Sequence, residues 1–258
     1  MNWTRHFFVI SYNGAGFHGW QNQKDGNSVQ EVIETALSSI LKTPTIIYGC
    51  GRTDADVHAD NYVFHATIPE NHQTLKFKLN KQLSEQIAIK KIIPVSEKAH
   101  AQKDAEERIY TYYVHQEKDP ALSTFSTWYP DLNLNLDLLE SAAQLIEKAS
   151  DFENFCLSPQ KHYSTICNIH KVEIFQNETS KRLAIRFHGD HYLKSMIRLL
   201  VGELIRVSEG KTSLENFEAY LNSSIKKPRH HKAYPQGLHL SYVQYPFLKL
   251  EVENPFNF

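Results

Sequence analysis

Apolar positions repeat every three or four residues in three long segments of the chain, and each repeat predicts a helix with one buried face. The first helix should begin after Ser28, because Ser28-Val29-Gln30-Glu31 has the capping-box pattern of a helix N-terminus. Its apolar positions are Val29, Val32, Ile33, Ala36, Leu37, Ile40 and Leu41. The second helix has Leu138, Leu139, Ala142, Leu145, Ile146 and Ala149, and the third, expected over 191–207, has Tyr192, Leu193, Met196, Ile197, Leu200, Val201 and Leu204.

Runs of apolar and β-branched residues between these segments predict strands. The runs are 6–12, 45–48, 61–66, 87–93, a segment around Tyr110 and Tyr112, and the hairpin pair 169–175 and 183–187. A shorter helix is predicted over 74–83, and 119–135 is typical of a connection. Strands and helices follow one another in a similar order in both parts, so we expect two related α+β halves.

Composition sets limits on the possible partners. The 258 residues can bury a substantial core, as one large domain or two small ones. Lys and Arg number 28 against 29 Asp and Glu, so the net charge is −1 with histidine neutral. Proteins that bind nucleic acids usually carry excess positive charge, but a local basic groove suffices for phosphate contacts. RNA binding therefore requires a confined basic surface.

The cysteines and the N-terminus indicate a cellular compartment. Cys50, Cys156 and Cys167 are odd in number and form no CxxC pair, which fits a reducing environment better than a disulfide framework. The first residues lack the layout of a signal peptide, and no apolar run approaches membrane length. We expect a cytoplasmic protein.

The stretch Gly49–Ala59 carries the candidate chemistry. Arg52 and Asp54 lie two residues apart, so an extended backbone would project both side chains from one face. From spacing alone, Asp54 has three interpretations. It could be a turn or capping residue. It could belong to a metal site in which Asp54, Asp56, His58 and Asp60 alternate along one face. It could be a nucleophilic carboxylate kept ionised by Arg52, and a neighbouring cation favours this third interpretation over metal binding.

A second candidate loop, Gly14–Gln21, interleaves three glycines with Phe17 and Trp20. Such a loop suits a close approach to a ligand, or it is a glycine-rich turn whose aromatic side chains pack in the core.

The segment Gly51–Ala59 resembles the signature Gly-Arg-Thr-Asp-Ala-Gly-Val-His-Ala of the tRNA pseudouridine synthase A family, with Asp56 in place of the second glycine. Further stretches resemble the family's motifs in the same order, at 12–21, 100–112, 151–155, 196–202 and 233–240. Gln102 replaces an arginine of the family and Leu199 an asparagine.

This resemblance implies an α+β fold in which two pseudo-symmetric α+β halves share an antiparallel-rich mixed sheet, with helices packed on it and the active-site cleft between the halves. Residues 1–105 would form the half with the catalytic loop, and 106–258 the half that completes the cleft. The implied activity is isomerisation of uridine to pseudouridine in the anticodon stem-loop of tRNA, by a homodimer that needs no cofactor and no metal.

By the same resemblance, Asp54 is the nucleophile, Arg52 and Arg198 keep it ionised, and Tyr110 stacks on the flipped target base. The candidate RNA-binding residues are Phe17, His18, Trp20, Gln21, Thr53, His58, Arg108, Lys194, Lys226, Lys227 and Arg229. The run 226–232 is the densest basic segment, and a solvated loop is the alternative explanation for it. An RNA-binding relative that has lost catalysis is the alternative function, and a metal site is a distant third.

Asp56 raises a question of charge, because a second carboxylate facing the cleft would oppose ionisation of Asp54 and repel phosphate. Aspartate tolerates the left-handed backbone conformation that the family glycine would adopt. We therefore expect Asp56 in that conformation, with its carboxylate turned away towards a lysine or arginine.

Overall fold

The computed structural model describes residues 2–24, 26–71, 73–130, 132–179, 181–227, 231–248 and 255–256. The chain divides into two compact units. Unit 1 comprises the described residues of Met1–Glu106 and His239–Val252, and unit 2 those of Glu107–Leu238 and Glu253–Phe258. Among the described residues, no helix is long and apolar enough to cross a membrane.

Unit 1 is built on a sheet with two helices. Its elements are β1 (Trp3–Tyr12), α1 (Val29–Leu41), β2 (Tyr48–Gly49), β3 (His58–Pro69), α2 (Leu75–Gln82), β4 (Ile87–Pro94) and β9 (Leu238–Gln244), which begins one residue before the unit boundary. Strand β1 lies between β3 and β4 and is antiparallel to both. Strand β9 returns from the end of the chain and pairs in parallel with the start of β3, where His58 faces His239.

Local sequence signals predict the start of α1 correctly but not the length of the strand that precedes the segment Gly51–Ala59. Ser28 caps α1 by accepting a hydrogen bond from the Glu31 N–H at 3.1 Å, as the capping box predicts. The strand expected over 45–48 is shorter, and β2 contains only Tyr48 and Gly49. Side chains of α1 explain the difference, because Ser38 Oγ accepts from the Thr45 N–H and Glu34 Oε1 from the Ile47 N–H. These amides are therefore not available to a strand partner.

Unit 2 has the same α+β character. Its elements are β5 (Glu107–His115), β6 (Thr127–Trp128), α3 (Leu136–Lys148), β7 (Ile169–Gln176), β8 (Arg182–Gly189), α4 (Met196–Ser208) and α5 (Leu214–Leu221). Strand β8 lies between β5 and β7 and is antiparallel to both, which confirms the predicted hairpin. Short β6 runs parallel to β5. The α+β class with antiparallel-rich, mixed pairing is thus confirmed.

Two helices of unit 2 differ from the expectation. Helix α4 begins at Met196 rather than at residue 191, because Ser195 has a left-handed backbone with φ 58° that cannot continue a helix. Helix α5 was not predicted, although Ser213 caps it by accepting from the Asn216 N–H at 3.2 Å. Its buried residues are Phe217, Tyr220 and Leu221. The cap and this spacing are the sequence signals that could have identified it.

Candidate active site

The loop with Arg52 and Asp54 connects β2 to β3, and its backbone is held by aromatic residues of unit 1. Thr53 Oγ1 lies 2.9 Å from the Tyr12 hydroxyl, and the Thr53 carbonyl accepts from the Trp20 N–H at 3.4 Å. The Asp54 carbonyl accepts from the Val57 N–H at 3.3 Å. Asp54 is half-buried, while Arg52 is exposed. The carboxylate is therefore partly exposed and joined to a fixed backbone.

Gly19 lets the glycine-rich loop approach this backbone. A Cβ atom at Gly19 would lie 2.3 Å from the carbonyl oxygen of Thr53, and its φ of 89° also disfavours other residues. Trp20, the next residue, is buried and stacks on Tyr62 with ring centroids 4.0 Å apart. The loop 14–21 and the Asp54 loop are thus packed together within unit 1.

Asp56 connects the same two loops. Its φ is 61°, which confirms the expected left-handed conformation. Its Oδ1 accepts from the Gly16 N–H at 2.9 Å, and its own N–H donates to the Phe17 carbonyl at 3.2 Å. The expected lysine or arginine partner was therefore wrong, because a backbone amide takes that place.

The His58 side chain supports the glycine-rich loop through a hydrogen bond. Its Nδ1 accepts from the Gly14 N–H at 3.0 Å, and the side chain is buried, with its ring 4.7 Å from that of His239. Because Nδ1 accepts, the proton of the neutral ring belongs on Nε2. Because its side chain is buried, His58 does not offer a surface for RNA contact.

The remaining candidate RNA contacts of unit 1 fall into two groups. Phe17 and Trp20 are buried, which agrees with the core-packing interpretation of this loop. His18 and Gln21 are exposed, and Thr53 is half-buried. Only this second group offers side-chain surface to a ligand.

The alternating carboxylates and histidine do not converge on one point. Asp56 accepts from Gly16, His58 accepts from Gly14, and Asp60 lies 3.3 Å from His239. Three members of the proposed ligand set are thus directed to different neighbours. This arrangement does not support a metal site formed by Asp54, Asp56, His58 and Asp60.

Tyr110 of unit 2 rests edge-to-face on Tyr192, with ring centroids 5.2 Å apart and an interplanar angle of 85°. Tyr110 is half-buried. The Tyr192 hydroxyl donates to the Arg108 carbonyl at 3.2 Å, and Arg108 Nη1 donates to the Asp190 carbonyl at 2.6 Å. Burial, followed by the nearby Tyr110, raises the pKa of Tyr192 well above its usual value, so the hydroxyl stays a donor. Sequence reasoning gave Tyr192 only a core role and missed this support of Tyr110.

Arg198 is buried in α4, although arginine side chains usually extend their charged ends to the surface. Its Nε–H donates to the Ala233 carbonyl at 2.8 Å, and its own carbonyl accepts from the Ala233 N–H at 2.9 Å. The chain at 231–233 reaches α4 because Gly202 has no side chain; a Cβ there would lie 1.7 Å from the His231 carbonyl oxygen. The guanidinium orientation is therefore fixed by a backbone segment.

The basic residues of unit 2 lie in different environments. Lys194 and Lys226 are exposed. Lys227 is buried, with its Nζ 3.0 Å from Glu203 Oε2, as an ion pair without hydrogen-bond geometry, and 5.5 Å from the Phe155 ring centroid. Lys227 is thus a core residue rather than a phosphate contact, because its ammonium group is paired with Glu203 inside unit 2. Arg229 lies outside the described residues.

Comparison with known proteins yields one family. The sequence model described as "tRNA pseudouridine synthase" matches residues 142–246. Three proteins named tRNA pseudouridine synthase A match almost end to end. The one from Porphyromonas gingivalis is 33% identical over 94% of this chain and 98% of that protein, and the one from Parabacteroides distasonis is 33% identical over 97% of this chain and 99% of that protein. The one from Pseudothermotoga lettingae is 31% identical over 93% of this chain and 99% of that protein. Among solved structures, a chain of "Crystal Structure of a Cbf5-Nop10-Gar1 Complex" is 10% identical over 92% of this chain and 49% of that chain, with a TM-score of 0.35.

Proposed function

The chain belongs to the tRNA pseudouridine synthase A family, and we propose that it isomerises uridine to pseudouridine in the anticodon stem-loop of tRNA with Asp54 as nucleophile. The observation that carries the role of Asp54 is its setting. A half-buried carboxylate follows Thr53, whose position is fixed by Tyr12 and Trp20. Because the backbone is already fixed, little conformational entropy has to be lost when the nucleophile reacts.

The proposed chemistry is balanced without an added reagent. A carboxylate oxygen of Asp54 bonds to C1′ of the flipped nucleotide as the N-glycosidic bond breaks, its electron pair leaves with the uracil nitrogen, and the uracil then turns. A carbon–carbon bond replaces the lost carbon–nitrogen bond, the Asp54 adduct is released, and the proton from the ring carbon ends on the ring nitrogen. Since atoms and electrons are conserved, this isomerisation requires no redox partner.

The other residues support this step in the proposal. Arg52 is exposed and suits a phosphate contact near Asp54. Tyr110, held by Tyr192, provides a flat ring of the kind that stacks on an unpaired base. Arg198, buried in α4, carries a permanent positive charge and in the proposal is the active-site arginine of the family.

We also propose that tRNA binds to a homodimer and touches both copies. Lys194 and Lys226 are exposed cations suited to phosphate contacts, as are Arg52 and the exposed His18 when protonated. Light scattering at micromolar protein should report a dimer. A monomer at that concentration would remove the dimer from the proposal without affecting the role of Asp54.

Asp54→Asn tests the nucleophile. Purified protein should convert uridine in an anticodon stem-loop transcript, and Asp54→Asn should abolish conversion while tRNA affinity stays within about tenfold, because few binding contacts are lost. Asp56→Asn is the matched control, since it alters a carboxylate in the same loop and should retain activity. Turnover by Asp54→Asn would refute the assignment. RNA binding without turnover by the unaltered protein would favour the diverged RNA-binding relative.

A further inference from the structure

Three side chains with metal-binding atoms converge on the sheet of unit 2, and none of them belongs to the residues assigned above. Glu107 Oε1 lies 2.9 Å from His170 Nε2 and 3.4 Å from His188 Nδ1. One ligand atom from each of the three residues lies within 4.8 Å of the others. In the part of the chain that the structure describes, this is the one group of three or more His, Cys, Asp or Glu with that geometry.

A β-bulge brings His170 into the group. Ile169 faces Gly189 and Lys171 faces His188, so His170 is an extra residue in the β7–β8 ladder. In a regular strand, neighbouring side chains point to opposite faces, and His170 would then be separated from the face shared by Lys171 and His188. A bulge re-aims a side chain and is common next to functional sites. The irregularity therefore has a specific result: it directs a second imidazole towards Glu107.

A second carboxylate orients the ring of His188. Glu173 Oε2 lies 2.8 Å from His188 Nε2, and Glu173 Oε1 lies 2.6 Å from Lys171 Nζ. Histidines that bind metals usually donate their other ring N–H to such a carboxylate, which fixes the tautomer. With the proton on Nε2, the Nδ1 atom presents a lone pair towards Glu107.

A neutral His188 ring can donate to only one of its two carboxylate neighbours, Glu173 and Glu107. The neutral His188 ring would face Glu107 with a lone pair at 3.4 Å, so two electron-rich atoms would meet. Either a second proton on the ring or a metal ion removes this repulsion.

We propose that Glu107, His170 and His188 form a binding site for Zn²⁺. Two imidazoles and one carboxylate are a known zinc ligand set, and bonds of about 2.0–2.1 Å in tetrahedral geometry place ligand atoms about 3.3 Å apart. Two of the three separations, 2.9 and 3.4 Å, lie near that value, and the third is within 4.8 Å. His170 is half exposed, so water can take the fourth position. The ion would tie β5, β7 and β8 together.

Zinc titration of the whole chain tests the site. After removal of metals, calorimetry at neutral pH should show one Zn²⁺ per chain that is lost, or weakened at least tenfold, in His170→Asn and Glu107→Gln. Glu173→Gln should weaken binding about 10–100-fold, because it frees the orientation of His188. His191→Asn is the matched control: His191 has the same 49% side-chain exposure as His170 and also pairs with a carboxylate, Asp190, at 2.9 Å.

The results separate a metal from a proton. Zinc affinity should fall as pH is lowered, because the ligand imidazoles must be neutral. Equal zinc binding by the unaltered chain and His170→Asn would overturn the proposal, as would an equal loss in His191→Asn. The site shares no residue with the proposed catalytic residues, so the zinc titration and the Asp54→Asn assay test the two proposals separately.

Discussion

Arg198 and Ala233 hold each other through two hydrogen bonds, one from the Arg198 side chain to the Ala233 carbonyl and one from the Ala233 N–H to the Arg198 carbonyl. The bonds measure 2.8 and 2.9 Å. A buried guanidinium is thus oriented by a backbone segment that Gly202 allows to approach. Orientation as well as charge should therefore matter at this position.

Arg198→Lys should lower kcat about 10–100-fold, because lysine keeps the charge but cannot reproduce the planar Nε–H bond to Ala233. Steady-state assays with an excess of anticodon stem-loop transcript would measure this. Arg206→Lys, on the same helix but more exposed, is the control and should change kcat little. Full activity in Arg198→Lys would show that the arginine is needed only for its charge, or not at all.

The neighbours Lys226 and Lys227 should respond in opposite ways to the loss of their charge. Lys227→Gln removes the buried cation beside Glu203 Oε2, while Arg206 and Thr212 still contact Oε1, so the free energy of unfolding should fall by at most about 3 kcal/mol. Lys226→Gln should leave stability unchanged but reduce the slope of log affinity for tRNA against log salt by about one. Urea unfolding and binding at several salt concentrations test both. An unchanged slope in Lys226→Gln would remove that residue from the RNA interface.

This pair also illustrates what the sequence can predict. Local signals worked where the deciding contact is local, as in the Ser28 cap of α1. They failed where the structure depends on a contact with a residue far away in the sequence. Burial of Lys227 depends on Glu203 of α4, and the shortness of β2 depends on Glu34 of α1. The catalytic candidates were found by resemblance of motifs, whereas the support of Tyr110 by Tyr192 comes only from the fold.

His65 should make stability depend on pH. Its Nδ1 accepts from the Ala101 N–H at 3.1 Å, and burial, followed by the charges of His100 and Arg5 and opposed by Asp104, lowers its pKa from 6.5 to about 4. The folded chain therefore binds this proton less readily than the unfolded chain. The contribution to stability is complete above pH 6.5 and is lost between there and about pH 4, with a loss of about 2 kcal/mol at pH 5.

His65→Gln keeps an acceptor for Ala101 but cannot titrate. Urea unfolding at pH 7.5 and pH 5 should show the unaltered chain losing about 2 kcal/mol more than this variant between the two conditions. His18→Gln, which replaces an exposed histidine, is the control and should keep the full loss. An equal loss in His65→Gln would assign the pH dependence to other groups.

The last prediction concerns Asp56, whose backbone is left-handed and whose carboxylate accepts from Gly16. Asp56→Gly removes the backbone strain together with the hydrogen bond, and Asp56→Asn keeps an acceptor and tolerates the conformation. Both should therefore keep the isomerisation rate within a few-fold of the unaltered enzyme.

Asp56→Ala separates conformation from charge in this series. Alanine loses the hydrogen bond and pays about 1–2 kcal/mol for the left-handed backbone, so this variant should be the least stable of the three. If the carboxylate only joins the two loops, Asp56→Ala is the slowest and Asp56→Asn the closest to the unaltered enzyme. If its charge instead opposes the reaction, all three variants gain rate, because each removes the charge. A gain of more than tenfold, or about 1.4 kcal/mol in the barrier, would show that Asp56 suppresses the family reaction, and would favour a different substrate for this enzyme.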